Sequence, residues 1–209
     1  MAIDPSALKE RERYRMLAGL VVPRPIGLVS TISAEGVSNL APFSFFQAGG
    51  TSPLSLVFSA SLDEAGNEKH TVQNIRARRE YVISTVTREM ADEMVRTSAS
   101  MAADESEWAD SRFTPLPSEV VAPARVAESP CHFECRLFQT VEHGNGPGAA
   151  RYVIGEVVRI HVSEALQNDG VLNPESVRTL GRMGGEWYID TAALEVFRMP
   201  RRSEPPSRH

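Results

Sequence analysis

The chain has 209 residues, 42% of them hydrophobic and 23% charged, which is the composition of an ordinary globular protein. This composition excludes collagen, low-complexity disorder and a disulfide scaffold. Its 22 basic and 27 acidic residues give a formal net charge of −5, so no basic excess points to a nucleic acid partner. The sequence has no apolar run of membrane-spanning length and no signal-peptide core. We therefore predict a cytoplasmic protein that binds neither nucleic acid nor membranes.

Cysteine and histidine usage gives no sign of a metal site. The two cysteines, Cys131 and Cys135, are four positions apart, and in a cytoplasmic chain we expect them to be buried thiols. The five histidines show no spacing typical of metal ligands. The sequence therefore predicts no bound metal.

The domain organisation is simple. We expect residues 1–18 to form a loosely helical arm, residues 19–198 to form one domain, and residues 199–209 to be a disordered tail. Within the domain, residues 26–33, 38–47 and 54–61 are predicted strands. Pro42 cannot donate a ladder hydrogen bond, so the second of these strands is expected at a sheet edge or a bulge. A polar loop at 63–68 then leads to a helix at 71–79.

The second half of the domain contains two long strands. A strand at 81–87 and a helix at 88–98 precede an acidic segment at 104–110, where Glu105 and Glu107 are expected on a solvated face. Alternation over 131–141 and 152–162 predicts a hairpin around a glycine-rich turn, with Glu134 on a polar face. A short helix from Asn173 and a last strand at 186–190 follow. Six or seven strands with few helices predict a mainly β fold with short helices, a closed or half-closed β-barrel.

The first candidate site is Lys69-His70-Thr71, at the start of the predicted helix. A helix start offers unpaired N–H groups and a partial positive charge, and an ammonium and a hydroxyl beside it suit a phosphate. Lys69 is one of only two lysines among the 22 basic residues. The alternative is an ordinary helix cap by Thr71 beside a solvated lysine.

The second candidate is the proline-broken strand from Asn39 to Phe46. Its unpaired backbone groups suit a planar heterocycle, and Asn39 and Ser44 add polar side chains. The hydroxyls of Ser30 and Thr31, on the preceding strand, are a third candidate for contact with a phosphate or a ring edge. The alternatives are an edge bulge packed by core aromatics and the ordinary occurrence of Ser and Thr in strands.

Several short motifs follow one another in order along the chain. They are Pro23-Arg24-Pro25-Ile26-Gly27-Leu28-Val29-Ser30-Thr31, the Gly36 turn, Asn39-Leu40-Ala41-Pro42-Phe43-Ser44, Lys69-His70-Thr71 with Asn74-Ile75, Glu134-Cys135-Arg136-Leu137 and Gly155-Glu156-Val157. Each motif is weak alone. Together, over residues 19–188, they make the sequence resemble the flavin reductase-like family with the FMN-binding split-barrel fold.

The resemblance implies a homodimer of split barrels with FMN bound near the subunit interface. It puts the strand-end hydroxyls and the Asn-Leu-Ala-Pro-x-Ser stretch at the flavin ring, and the helix-start lysine and threonine at the phosphate. The cofactor-binding residues implied are Ser30, Thr31, Asn39, Ala41, Pro42, Phe43, Ser44, Phe45, Ser59, Lys69 and Thr71. No residue is assigned as catalytic, because the cofactors carry the hydride chemistry.

The chain departs from the family pattern at two places. His70 stands where the family usually has an acid before the threonine. The family's Gly-Asp-His turn near the nicotinamide site corresponds here to residues 148–151, which end in Arg151, while His143 lies earlier in the chain. Which of His143 and Arg151 contacts nicotinamide is left open. The segments 104–110 and 144–148 are expected to cover the ring, and residues 184–188 resemble the family's C-terminal Gly-Gly-x-x-Tyr element.

The function implied is that of an NADH- or NADPH-dependent flavin reductase, in which a hydride passes from nicotinamide to the flavin N5. Reduced flavin then serves a partner oxygenase, or the flavin stays bound and reduces another acceptor. The alternative is a flavin-binding redox carrier or sensor without steady nicotinamide-dependent turnover. A third hypothesis is an enzyme similar to pyridoxamine-phosphate oxidase. The Asn-Leu-Ala-Pro-x-Ser stretch argues against this hypothesis.

Overall fold

The computed structural model describes residues 1–173 and 175–195. The tail predicted at 199–209 and Pro174 lie outside these residues. The helices are α1 (Glu10–Leu20), α2 (His70–Arg78), α3 (Ala91–Arg96) and α4 (Glu107–Asp110), with short 3-10 turns at Pro5–Ala7, Glu164–Leu166 and Thr191–Ala193. The strands are β1 (Arg24–Pro25), β2 (Gly27–Ile32), β3 (Ser38–Phe43), β4 (Phe46–Thr51), β5 (Leu54–Ser61), β6 (Glu80–Thr85), β7 (Pro115–Leu116), β8 (Arg125–Val126), β9 (Cys131–His143), β10 (Ala150–Val162), β11 (Gln167–Asn168), β12 (Val171–Leu172), β13 (Leu180–Arg182) and β14 (Tyr188–Asp190). None of these helices is long and apolar enough to cross a bilayer.

One antiparallel sheet of seven strands dominates the molecule, in the order β3-β2-β6-β9-β10-β5-β4. The two edge strands, β3 and β4, are joined by only Ser44 and Phe45. Since so short a link cannot span a flat seven-stranded sheet, the sheet must curl until its two edges come close together, although no ladder pairs β3 with β4 within the described residues. The mainly β fold with short helices is therefore confirmed, and the curled sheet gives it the form of a barrel.

Apolar side chains cover both faces of β2. On the inner face, Val29 packs in a buried cluster with Phe58, Ile75 and Tyr81, which closes the barrel with α2. On the outer face, Leu28 belongs to a second cluster, which α3 and the segment after it cover. Because consecutive strand residues point to opposite faces, a strand covered on both sides reads as the continuous apolar run seen at 26–29.

One of our expectations about acidic residues is wrong, and the burial of a second acid was not predicted. Glu107 is 6% exposed, and its Oε2 accepts the Leu40 N–H at 3.0 Å, so it does not lie on a solvated face. Glu134 is fully buried because the irregular loop before β8 covers the polar face of β9. In both cases a carboxylate in an otherwise polar stretch accepts backbone N–H groups of a distant segment, and sequence periodicity does not reveal such a role.

Gly155 makes close packing possible at the centre of β10. A Cβ at this position would lie 1.9 Å from the hydroxyl oxygen of buried Tyr81, and β10 shifts register against β9 at the same place. We expect Gly155→Ala to lower the free energy of unfolding by about 2–4 kcal/mol, because the ring of Tyr81 cannot move within the core. Tyr81→Phe in the same chain should recover part of that loss, since it removes the nearest atom.

Urea unfolding of the two single variants and the double variant measures this coupling. Tyr81→Phe alone serves as the control, and it should cost little because the Tyr81 hydroxyl has no hydrogen-bond partner among the described residues. Strictly additive losses would show that Gly155 and Tyr81 do not compete for the same space.

Candidate functional site

Two adjoining cavities, which we call the groove, lie along the edge strand β3. The first has a volume of about 250 Å³ and the second about 550 Å³. Both are lined by Pro42, Phe43, Asp63 and Lys69, so they meet between the end of β3 and the start of α2. A volume of this order is what a cofactor-sized ligand occupies in proteins.

The structure brings most of the predicted site residues to this groove. Nine of the eleven line one or both cavities: Asn39, Ala41, Pro42, Phe43, Ser44, Phe45, Ser59, Lys69 and Thr71. The remaining two, Ser30 and Thr31, line neither cavity and are buried. Thr31 Oγ1 instead accepts from Asn74 Nδ2 at 3.0 Å, which ties β2 to α2 and so helps to fix the wall of the groove.

Lys69 and Thr71 stand together at one end of the groove. Lys69 is the N-cap residue of α2, which begins at His70, so the alternative of a cap by Thr71 is wrong. Within the described residues the Lys69 ammonium makes no hydrogen bond and no ion pair with a carboxylate. Thr71 Oγ1 accepts from Asn39 Nδ2 at 3.0 Å, which leaves the Thr71 hydroxyl proton free to donate. This set, with the first N–H groups of α2, suits a phosphate.

One carboxylate lies beside this cationic end. Hydrogen bonds from the Asn67 backbone hold the pKa of Asp63 below its ordinary value, and the charge of Lys69 adds to the effect. Asp63 lines both cavities of the groove, but its carboxylate accepts hydrogen bonds from the backbone N–H groups of Ala65 and Asn67 in its own loop. These hydrogen bonds stabilise the loop without engaging Lys69, so the Lys69 ammonium stays available to a ligand.

The opposite wall is the outer edge of β3. Leu40 donates its N–H outward to Glu107, so Pro42, two residues further along, also points its backbone away from β2. A proline costs no ladder hydrogen bond at such a position, which explains how β3 accommodates Pro42. The predicted edge location of this strand is confirmed.

Several residues that line the groove were not among the predicted cofactor-binding residues. The second cavity is also lined by Glu10, Arg11 and Tyr14 of α1 and by the hairpin turn at Pro147 and Gly148, and the first by Glu107 and residues 97–101. The expectation that the acidic segment and the glycine-rich turn lie near the site agrees with these positions. The α1 residues carry no local motif, and only the fold brings them here.

Arg24 joins the arm to the groove. It is 5% exposed, and its guanidinium donates to the carbonyls of Ala18 and Val21 at the end of α1 and to the Met183 carbonyl at 2.8 Å. The same group lies 5.6 Å from the centre of the Phe45 ring. The end of α1, the segment after β13 and the link between the two edge strands are therefore fixed relative to one another.

The two residues left open for nicotinamide differ in their surroundings. Arg151 is 7% exposed, and it pairs with Glu68 at 3.1 Å and with Glu142 at 3.8 Å. His143 is exposed and lines a surface cavity at the hairpin turn, which adjoins the second cavity of the groove and shares Tyr14, Phe45 and Gly148 with it. The guanidinium of Arg151 is thus paired with two carboxylates of the protein itself.

The chain is similar to known proteins over most of its length. Residues 18–181 match the family described as the flavin reductase like domain. The chain belongs to this family. A protein of Aquifex aeolicus, itself uncharacterised, is 36% identical over 178 residues, which make up 84% of this chain and 88% of that protein.

Solved structures of flavin reductase-like proteins have the same fold. The nitrilotriacetate monooxygenase component B of Bacillus cereus superposes with a TM-score of 0.88 at 30% identity, covering 95% of this chain and 98% of that one. The 2-nitrobenzoate 2-nitroreductase of Pseudomonas fluorescens gives a TM-score of 0.85 at 27% identity, covering 99% of each chain. A split-barrel protein of Shewanella frigidimarina gives 0.80 at 25% identity, covering 97% of this chain and 100% of that one. The predicted split barrel is confirmed.

Proposed function

We propose that the protein is an NAD(P)H-dependent flavin reductase that binds FMN along the groove. The observation that carries the proposal is the place of Lys69, a cation without an ion-pair partner among residues 1–173 and 175–195, where the two cavities meet opposite the edge strand β3. The phosphate would lie at Lys69, Thr71 and the start of α2, with Ser59 nearby. The ring would lie along residues 39–45.

The residues present fit FMN at both ends. A phosphate needs a positive charge and donors, and Lys69, the first N–H groups of α2 and the free Thr71 hydroxyl proton supply them. A flavin ring needs an apolar surface with backbone groups at its edge, and Pro42, Phe43 and Phe45 beside an edge strand supply these. Ser30 and Thr31 would then support the ring wall from behind rather than contact the ring.

The protein's part in catalysis is to hold and to orient. The redox chemistry would be that of FMN held by these residues, with N5 as the hydride acceptor. Lys69 and Thr71 bind the remote phosphate, so that binding energy far from the reacting atom sets the position of the ring. The backbone N–H groups of Ser44 and Phe45, which lie beyond the end of the β2–β3 ladder, are suited to stabilise negative charge on the ring edge. Arg24 keeps that segment in place through the Phe45 ring and the end of α1.

The relatives support two fates for the electrons. One structural neighbour is a monooxygenase component, and we propose that this protein likewise passes reduced flavin to a partner oxygenase. Another neighbour is a nitroreductase, and by analogy a flavin that stays bound to this protein would reduce a second substrate directly. We further propose a cytoplasmic homodimer. Both cysteines are free thiols, as is usual in the cytoplasm. Leu17 and Leu20 of α1, with Val21 directly after the helix, present an exposed apolar surface for a second copy.

A redox carrier is the second candidate, and the pairing of Arg151 with two carboxylates favours it, because that residue then offers nicotinamide no free cation. The absorption spectrum of the purified protein, followed by oxidation of NADH and NADPH with added FMN, decides between them. Steady turnover supports the reductase. A yellow protein that is not bleached by either nicotinamide supports the carrier, and a protein that binds no FMN contradicts both.

A further inference from the structure

A third cavity, of about 240 Å³, lies beside the groove. It shares Pro42 with both cavities of the groove, and Ser44 and Tyr14 with the second one. Its other walls include Met94 of α3 and two residues of the C-terminal segment, Arg182 and Tyr188. A small molecule in this cavity would therefore lie against the same edge strand as the proposed flavin ring.

Arg182 is the charged side chain of this cavity. Its guanidinium carbon lies 4.5 Å from the centre of the Tyr188 ring, and it donates to the Tyr188 hydroxyl and the Gly185 carbonyl. No carboxylate of residues 1–173 or 175–195 forms an ion pair with Arg182. The cavity therefore holds a cation that is fixed in orientation by an aromatic ring and lacks a counter-ion.

The position of Arg182 in the fold is electrostatically unfavourable. It stands directly opposite Arg24 in the ladder between β1 and β13. Like charges at directly opposed positions destabilise a sheet. Burial lowers the pKa of Arg24, and the charge of Arg182 adds to this lowering. Arg24 has three carbonyl partners, two at the end of α1 and one at Met183, and Arg182 has only the Gly185 carbonyl, while no carboxylate of the described residues pairs with either guanidinium. A bound anion would relieve this repulsion.

We propose that this third cavity binds the second substrate of the groove, an anionic molecule with a planar ring, and that Arg182 binds its negative group. The inference rests on the proposed function, because it assigns the partner that exchanges electrons with FMN. Tyr14, Tyr188 and Met94 provide the apolar contact for the ring. The phosphates of a nicotinamide dinucleotide and the carboxylate of an aromatic acid share this chemistry, and experiment can distinguish them.

The first test uses Arg182→Gln in the FMN-loaded protein. We expect the KM for NADH or NADPH to rise at least tenfold, with kcat and the Kd for FMN within twofold of the unchanged protein. Arg182→Lys should recover most of the affinity because it keeps the charge. Arg178→Gln is the matched control, since Arg178 is an exposed arginine near Arg182 in the chain and lines none of the three cavities.

The second test does not need turnover. Nicotinate and nicotinamide have similar shapes but differ in charge, and their binding is followed by the absorbance of bound FMN and by tryptophan fluorescence, to which exposed Trp187 beside Tyr188 contributes. Nicotinate should bind at least tenfold more tightly than nicotinamide, and Arg182→Gln should abolish the difference. If only nicotinate binding responds to the variant while the KM values do not, the anion is an aromatic carboxylate rather than a dinucleotide.

Two results would overturn the inference. A tenfold rise in the Kd for FMN in Arg182→Gln would place Arg182 in the flavin site itself. Equal binding of nicotinate and nicotinamide, together with unchanged KM values, would show that the cavity does not select an anion. Absence of NADH and NADPH oxidation by the unchanged protein would contradict the reductase proposal instead, and the nicotinate comparison would then decide the inference alone.

Discussion

Glu134→Ala is expected to lower the free energy of unfolding by about 3–5 kcal/mol. The carboxylate of Glu134 is fully buried and accepts the N–H groups of Glu119 at 2.8 Å, Val120 at 2.7 Å and Val121 at 3.1 Å. His161 Nε2 lies 2.6 Å from the same carboxylate. Alanine would leave these groups without a partner, and each buried unpaired donor costs about 1–3 kcal/mol. Urea unfolding followed by tryptophan fluorescence measures the loss.

Glu80→Ala is the matched control for this prediction. Glu80 accepts the Ala122 N–H of the same loop at 3.1 Å, but its side chain is 29% exposed, so water can replace it. We expect that variant to lose less than about 1 kcal/mol. Similar losses in the two variants would mean that burial of the Glu134 carboxylate does not determine its contribution.

The same group makes stability depend on pH. Burial by itself raises the pKa of Glu134, but the hydrogen bonds from Glu119, His161, Val120 and Val121 outweigh burial and hold this pKa below the ordinary value of 4.5. The unfolded chain therefore takes up the proton first, and the contribution of Glu134 is complete above about pH 5 and falls as the pH drops through the folded-state pKa. Glu134→Gln should remove this part of the dependence, so its stability curve and that of the unchanged protein should converge in acid.

Lys69→Ala is expected to weaken FMN binding by about 1.5–3 kcal/mol, the contribution of a hydrogen bond to a charged group. That corresponds to a Kd about 10- to 150-fold higher. Riboflavin lacks the phosphate, so its affinity should barely change. Fluorescence titration of both flavins against the purified protein measures the two values side by side.

Lys9→Ala is the control, because Lys9 is the other lysine of the chain, is exposed and lines neither cavity of the groove. It changes the net charge by the same amount, and so separates a local contact from a general electrostatic effect. Equal losses of FMN and riboflavin affinity in Lys69→Ala would contradict a phosphate contact. Equal losses of FMN affinity in the two lysine variants would contradict a local one.

The elements that sequence predicted well are those whose signal is local. Strand β5 has the predicted bounds Leu54–Ser61, and α2 begins one residue before its predicted start, because hydrophobic period and turn residues are read from neighbours in the chain. The proline rule gave the edge position of β3 for the same reason. Nine of the eleven predicted site residues line the groove, because eight of them fall in two short segments, 39–45 and 69–71, that the barrel brings together with Ser59 of β5.

The features that sequence missed depend on contacts between distant segments. Glu107 was expected on a solvated face and Glu134 only on a polar strand face, since nothing in their own stretches shows that a backbone edge or a loop will cover them. From the sequence, Arg24 was placed only within a motif. Its hydrogen-bond partners are the Met183 carbonyl, 159 residues away, and two carbonyls at the end of the preceding helix. Ser30 and Thr31 were assigned to the ring because strand-end hydroxyls do not reveal from sequence which face will be buried.

A curled sheet that stops short of full closure keeps two free edges, which are the usual templates for aggregation. On β3, Pro42 removes one outward N–H and the Glu107 carboxylate occupies another, so an incoming strand finds no regular ladder. On β4, the pairing slips between Ala48 and Thr51, around Gly49 and Gly50. The opening that the groove requires is therefore compatible with edges that resist the addition of a strand from another molecule.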